Sequence, residues 1–178
     1  RQVIPFNEDY LGRMSESDRE FFSLIKEALD DERIGRKFFS LLLPGIQERK
    51  GRKKPEDIVA FPKSGLFCDA SGYKIRPHKD VRTKLVTTQM YLPTDEKQES
   101  FGTSLYTRSF KGRINRELNK ISKVQRPEFE HLETFSFLPN SGYAFVVGEK
   151  SWHGREEIPE GMGNRYSLMN IYFEDNEV

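Results

Sequence analysis

Six short runs rich in β-branched and aromatic residues follow one another in the second two thirds of the chain, at 58–61, 85–92, 102–107, 133–138, 143–147 and 165–173. Clusters of Pro, Gly, Asn and Asp separate them, and Pro139-Asn140-Ser141-Gly142 is a strong turn signal between two strands. Many short strands with this punctuation build a sandwich or a barrel. The first third reads differently. Ser15 or Ser17 can cap a helix that has Asp18 and Glu20 in its first turn. Phe21, Leu24, Ile25, Ala28 and Leu29 then recur at helical spacing, a stripe expected to pack on a sheet. A second helix is expected from Asp30 or Asp31, carrying Ile34, Phe38, Leu41 and Leu42 and ending at Pro44-Gly45. The expected fold is mainly β with N-terminal helices, a cupin-like jelly roll with helices against one of its sheets.

At 178 residues the chain is expected to be one domain, 1–178, with a helical buttress at 1–57 and a jelly-roll core at 58–178. With 35% hydrophobic and 32% charged residues it reads as a globular protein, and no apolar run is long enough to span a membrane. Its single cysteine, Cys68, excludes an internal disulfide and fits a reducing, cytoplasmic setting. The chain opens on Arg1, so it is expected to be processed or to lack its true start. A net charge of +1 says nothing global about partners, but residues 108–126 hold seven Lys or Arg against one acid, Glu117. That stretch lies between two expected strands and reads as a loop or short helix, within a rim insertion at about 108–131.

The chemistry-bearing residues are few. His78 and Asp80 stand two apart on an expected strand, where side chains i and i+2 face the same way and Lys79 points outward. Each half is weak alone: a lone His-x-Asp is usually accidental, and a lone buried histidine is usually a satisfied core residue. Yet the chain has three histidines, and His153 stands where a second strand can supply a third ligand; His131 falls in a charged loop and is expected to face solvent. Two imidazoles and one carboxylate leave the opposite face of a metal open, the arrangement of non-haem Fe(II) sites that use O2. Twelve residues after His153 comes Arg165, with Ser167 on the same strand face. A guanidinium can grip a carboxylate through two parallel hydrogen bonds, and a serine can add a third. A dicarboxylate held there can place a 2-oxo acid head on the metal.

These motifs resemble those of the 2-oxoglutarate- and Fe(II)-dependent oxygenase superfamily, prolyl-4-hydroxylase-like type. The resemblance runs over residues 61–174 and rests on Pro-His-Lys-Asp at 77–80, Gly-Thr-Ser-Leu-Tyr at 102–106, Leu-Pro-Asn-Ser-Gly at 138–142, Trp-His-Gly at 152–154 and Arg-Tyr-Ser-Leu at 165–168. It implies a double-stranded β-helix and oxidative decarboxylation of 2-oxoglutarate to succinate and CO2, with O2 consumed and an unactivated C–H bond oxidised. It implies iron on His78, Asp80 and His153, and the distal carboxylate of 2-oxoglutarate on Arg165, helped by Ser167. Asp80 is the carboxylate that related halogenases lack, so hydroxylation or desaturation is implied. Tyr73 is a candidate co-substrate ligand, at an offset from His78 that does not match the family spacing.

The substrate is legible only in outline. Arg76, Arg82 and Lys84 flank the ligand motif and admit an anionic small molecule, although such charges are commonly just a solvated face. Trp152 is either a packing residue beside His153 or a wall of the pocket. No aromatic-interleaved basic strand is present, so nucleic acid is not expected. A small-molecule hydroxylase is therefore the expected function. A protein hydroxylase of prolyl type, and a cupin-like metal protein that uses no 2-oxo acid, remain the alternatives.

Overall fold

The computed structural model describes residues 1–122 and 126–175. Strand β1 (Gln2–Pro5) and a single helical turn, α1 (Glu8–Leu11), precede three helices: α2 (Glu16–Asp30), α3 (Glu32–Leu41) and α4 (Leu43–Lys50). Ser15 caps α2, its Oγ accepting from the amide of Asp18, and Asp31 caps α3 by accepting from the amide of Arg33. The chain does not leave the helical region at Pro44-Gly45 as expected. It bends at Leu42 and starts α4, where Pro44 sits in the first turn, a position with no amide bond to lose.

Eight further strands and one helix follow: β2 (Phe61–Asp69), β3 (Ile75–His78), β4 (Lys84–Leu92), β5 (Ser104–Thr107), α5 (Phe110–Ile121), β6 (Glu130–Thr134), β7 (Gly142–Val146), β8 (His153–Arg155) and β9 (Arg165–Phe173). They form a five-stranded sheet in the order β1-β2-β9-β4-β7 and a four-stranded sheet in the order β3-β8-β5-β6, with antiparallel pairing throughout. Among the described residues no ladder joins the two sheets into a closed barrel.

Two expected strands lie elsewhere. Residues 58–61 are not a strand: Ile58 follows a 3-10 turn and sinks into the core, while pairing begins at Phe61, opposite Phe173. The run at 133–138 leaves its ladder after Thr134, because Phe135 and Phe137 give their amides to Thr103 and Glu99 instead. That path passes hard against Gly102, where a Cβ would stand 1.4 Å from the Phe135 carbonyl oxygen, so only glycine fits there. The expected turn at 139–142 is present, with Asn140 at φ 54° and the Ser141 hydroxyl bonded to Leu138.

The helices pack on the outer face of the five-stranded sheet. Phe39 and Ile46 meet Leu85, Val86 and Tyr172, while Phe22, Ile25 and Leu29 join Phe6, Leu66 and Leu168. The expected stripes are partly displaced: Phe21, Leu24, Ile34 and Leu41 are exposed, because the sheet meets a narrower arc of each helix than the apolar positions cover. On β9, Leu168, Asn170 and Tyr172 face the helices, and Arg165, Met169 and Ile171 face the space between the sheets. In the insertion, residues 110–121 are the helix α5. Asn115 and Asn119 bond to the carbonyls of Pro127 and Arg126, which leaves Phe110, Ile114, Leu118 and Ile121 outward. Residues 123–125 of that insertion and 176–178 of the expected core lie outside the described residues. His131 is on β6 rather than in a loop, and it is exposed as expected.

Candidate metal centre

His78 ends β3 and His153 begins β8, and their Cα atoms are direct partners across the antiparallel pair. Directly opposed side chains on one sheet face are neighbours, and the two imidazole centroids are 4.4 Å apart. The register shifts between Ile75 and His78, a bulge of the kind that re-aims a side chain at a site. Asp80 follows two residues on, past the end of β3 rather than on the strand as expected. One ligand atom from each of His78, Asp80 and His153 lies within 4.8 Å of the others. The spacing thus brings together the three residues singled out in the sequence.

Their hydrogen bonding suits a cation. Nδ1 of His78 stands 3.1 Å from the Arg76 carbonyl and Nδ1 of His153 stands 3.0 Å from the Ser151 carbonyl. A carbonyl only accepts, so each Nδ1 is a donor, which leaves Nε2 as the ring atom available to a metal. Burial, against the weaker effects of its backbone bond and of Asp80, lowers the pKa of His153 and keeps the ring neutral. Burial would raise the pKa of Asp80, but the charge and hydrogen bond of Lys84 and the hydroxyl of Thr87 hold it below the ordinary value. Lys84 Nζ donates to Oδ1 at 2.9 Å and Thr87 Oγ1 to Oδ2 at 2.8 Å. A carboxylate has about four lone-pair positions, so an acceptor remains for a metal. Two imidazoles and one carboxylate fit Fe(II), Mn(II) or Zn(II).

The triad opens into a cavity of about 210 Å³ between the sheets. The five-stranded sheet contributes Phe67, Gln89, Tyr143, Arg165, Met169 and Ile171; the four-stranded sheet contributes Ile75, His78, His153, Gly154 and Arg155. Arg165 is 1% exposed and held on three sides. Its Nε donates to the Phe101 carbonyl at 2.7 Å, one terminal nitrogen to Asp69 Oδ2 at 3.1 Å and the other to Gln89 Oε1 at 3.5 Å. Tyr91 and Phe137 lie against its guanidinium. Burial lowers its pKa and Asp69 opposes that shift. Ser167 shares the strand face of Arg165 but is fully buried behind Gln89, whose Nε2 donates to its hydroxyl at 2.7 Å. It does not line the cavity.

Tyr73 does not line the cavity either; its ring lies beside Arg1 and Arg155, and its carbonyl accepts from Arg155. The tyrosine that reaches the cavity is Tyr143, whose hydroxyl donates to Gln89 Oε1 at 2.7 Å and whose pKa is raised, chiefly by burial. Arg76 and Arg82 are exposed, and Arg82 pairs with Glu149. Trp152 is half-buried against Phe129, with Arg108 and Lys79 over its ring. None of Arg76, Arg82 and Trp152 lines the 210 Å³ cavity. Arg82 lines a second hollow of about 610 Å³ on the other side of Asp80, together with Lys79, Arg49, Glu149 and Ser151.

Sequence reasoning did not find Asp69, Arg155, Gln89 or Tyr143. Asp69 and Arg165 are Cα partners across β2 and β9, so an acid closing an apolar strand was the one available signal. Gly154 is equally constrained: a Cβ there would stand 2.7 Å from the Ile75 carbonyl oxygen. Gly154→Ala is therefore expected to force β8 from β3, cost about 1–3 kcal/mol and weaken Mn(II) binding, read by calorimetry.

No family model matches the chain, and no curated protein does. Among solved structures it is similar to a prolyl-4-hydroxylase from Pseudomonas putida, at 13% identity and a TM-score of 0.42, over 65% of this chain and 52% of that one. The chain thus spans about half the length of that enzyme. It is similar to the viral collagen prolyl hydroxylase of Paramecium bursaria chlorella virus 1, at 12% identity and 0.41, over 97% and 89% of the two chains. It is also similar to the iron-bound HygX of Streptomyces hygroscopicus, at 13% identity and 0.41, over 97% and 81%. Such loose likeness says nothing of substrate, and function rests on the residues of the site.

Proposed function

We propose that this chain is an Fe(II)- and 2-oxoglutarate-dependent oxygenase domain that hydroxylates a C–H bond of a small metabolite. His78, Asp80 and His153 hold the metal, and the two sheets are the halves of a double-stranded β-helix with the N-terminal helices as buttress. One observation supports this reading above the others: a single cavity between the sheets is lined both by the His-Asp-His cluster and by a buried guanidinium, Arg165. A cupin-like metal protein that uses no 2-oxo acid gives that arginine no ligand to bind.

Bound iron supplies the activation of O2 and the decarboxylation of the 2-oxo acid. The chain's own residues bind and orient. Arg165, pinned by Phe101 and Asp69, presents a rigid fork to the distal carboxylate, and Gln89 and Tyr143 border that end. Met169, Ile171, Phe67 and Ile75 exclude water along the cavity and strengthen the polar contacts within it. The hollow beyond Asp80 is the proposed place of the substrate.

The test is an anaerobic titration of Fe(II)-loaded protein with 2-oxoglutarate, followed by visible charge-transfer absorption. The band is expected to appear. In Arg165→Met it is expected only at much higher 2-oxoglutarate, since losing one partner of a buried charge pair costs about 2–5 kcal/mol. A folded, iron-loaded protein that gives no band at any concentration overturns the proposal in favour of the cupin-like reading.

A further inference from the structure

Three guanidinium groups surround one carboxylate at the end of the cavity away from the triad. Arg1 meets Asp69 through two bonds, at 2.6 and 2.9 Å, and Arg165 meets it at 3.1 Å. Arg155 reaches the same carboxylate only to 3.8 Å, too far for a hydrogen bond. Its side chain is 3% exposed and lines the cavity, and its Nε is buried without a partner. Its terminal nitrogens are tethered to the carbonyls of Glu156 and Tyr73, which hold the guanidinium plane in place.

The charges do not balance. Asp69, behind the cavity wall, can neutralise one of the three cations, and Asp80, the one acid among the described residues that line the cavity, is taken up by Lys84 and the triad. Desolvated cations in excess of their counter-charges are costly, and an unpaired buried N–H adds to that cost. An entering anion relieves both. Arg165 comes from β9 of the five-stranded sheet and Arg155 from β8 of the four-stranded sheet, so an anion between them is gripped from both walls.

We propose that Arg155 is a second guanidinium for the distal carboxylate of the cavity's ligand, making that end a two-arginine clamp selective for a compact dicarboxylate. This rests on the oxygenase reading above. It gives Arg155 a role in specificity: 2-oxo acids that end in a methyl group are rejected because two cations then stay unpaired.

The test compares 2-oxoglutarate with 2-oxobutyrate, which has the same 2-oxo acid head and no distal carboxylate. Binding is measured calorimetrically to Mn(II)-loaded wild type, Arg155→Gln and Arg155→Lys, with thermal unfolding of each ligand-free protein alongside. In Arg155→Gln the affinity for 2-oxoglutarate is expected to fall at least about tenfold while that for 2-oxobutyrate is unchanged, and Arg155→Lys is expected to recover part of the loss, because charge returns without the fork. The ligand-free Arg155→Gln protein is expected to melt no lower than wild type, since removing one of three crowded cations offsets the two lost tethers. Equal weakening for both acids, or none, makes Arg155 structural and overturns the clamp while the oxygenase reading stands. Failure of the wild type to bind 2-oxoglutarate at all removes the oxygenase reading and the clamp together.

Discussion

Replacing Asp69 by Asn is expected to lower the stability of the ligand-free protein by about 3–5 kcal/mol, the range found when one partner of a buried ion pair is removed. Asp69 is fully buried and is the shared counter-ion of Arg1, Arg165 and, at longer range, Arg155. Asparagine keeps the shape and one acceptor but leaves three guanidinium groups around a neutral amide. Urea denaturation at neutral pH measures the loss directly. The pH profile supplies a second signature. Burial pushes the Asp69 carboxyl up, but its hydrogen bonds and the charges of Arg1, Arg165 and Arg155 prevail and leave its pKa below the ordinary value. A depressed carboxylate contributes stability that is fully present above the unfolded-state pKa, about 3.9, and is lost as pH falls through the lower folded-state value. Wild type should therefore lose stability on acidification below about pH 4, and Asp69→Asn should lack that part of the loss. A variant as stable as wild type, with an unchanged acid limb, would show that the carboxylate holds nothing together.

Replacing His153 by Ala is expected to abolish tight metal binding while the protein stays folded. His153 is the most buried member of the triad, and its ring packs on Phe145 with centroids 4.7 Å apart. Removal of an outer-shell partner typically costs about 10–100-fold in metal affinity, and removal of a ligand should exceed that range. Anaerobic calorimetry with Mn(II) reads the affinity, and thermal unfolding without metal checks the fold. The expected pattern is more than about 100-fold weaker binding with only the modest cost of one truncated buried ring. Metal affinity within a few-fold of wild type would remove His153 from the site.

Much of this was legible in the residues themselves. The strands β4, β5, β7 and β9 stand within about two residues of their expected positions, because alternating β-branched and aromatic runs between turn formers leave a half-buried strand little freedom. The caps at Ser15 and Asp31 were readable for the same local reason: a side-chain oxygen beside free amides has one good use. The residues 58–61 misled, since a run of Ile, Val, Ala and Phe reports burial without saying whether a ladder partner exists. At Pro44 the helix-stop signal is ambiguous, because proline stops one helix and starts the next equally well.

The chemistry on offer is written in the residues. Two histidines and an aspartate at strand ends, with an arginine and a serine two apart on a later strand, are visible as residue types and local period, and those are properties of the chain alone. The partnerships come from the folded chain. It set His153 opposite His78, put Asp69 opposite Arg165, hid Ser167 behind Gln89, and brought Arg155 and Tyr143 to the cavity in place of Tyr73. Strand register accounts for this. A one-residue slip between two strands exchanges every inward side chain for its outward neighbour, and register is set by long-range pairing, bulges and close contacts such as Gly154 against Ile75.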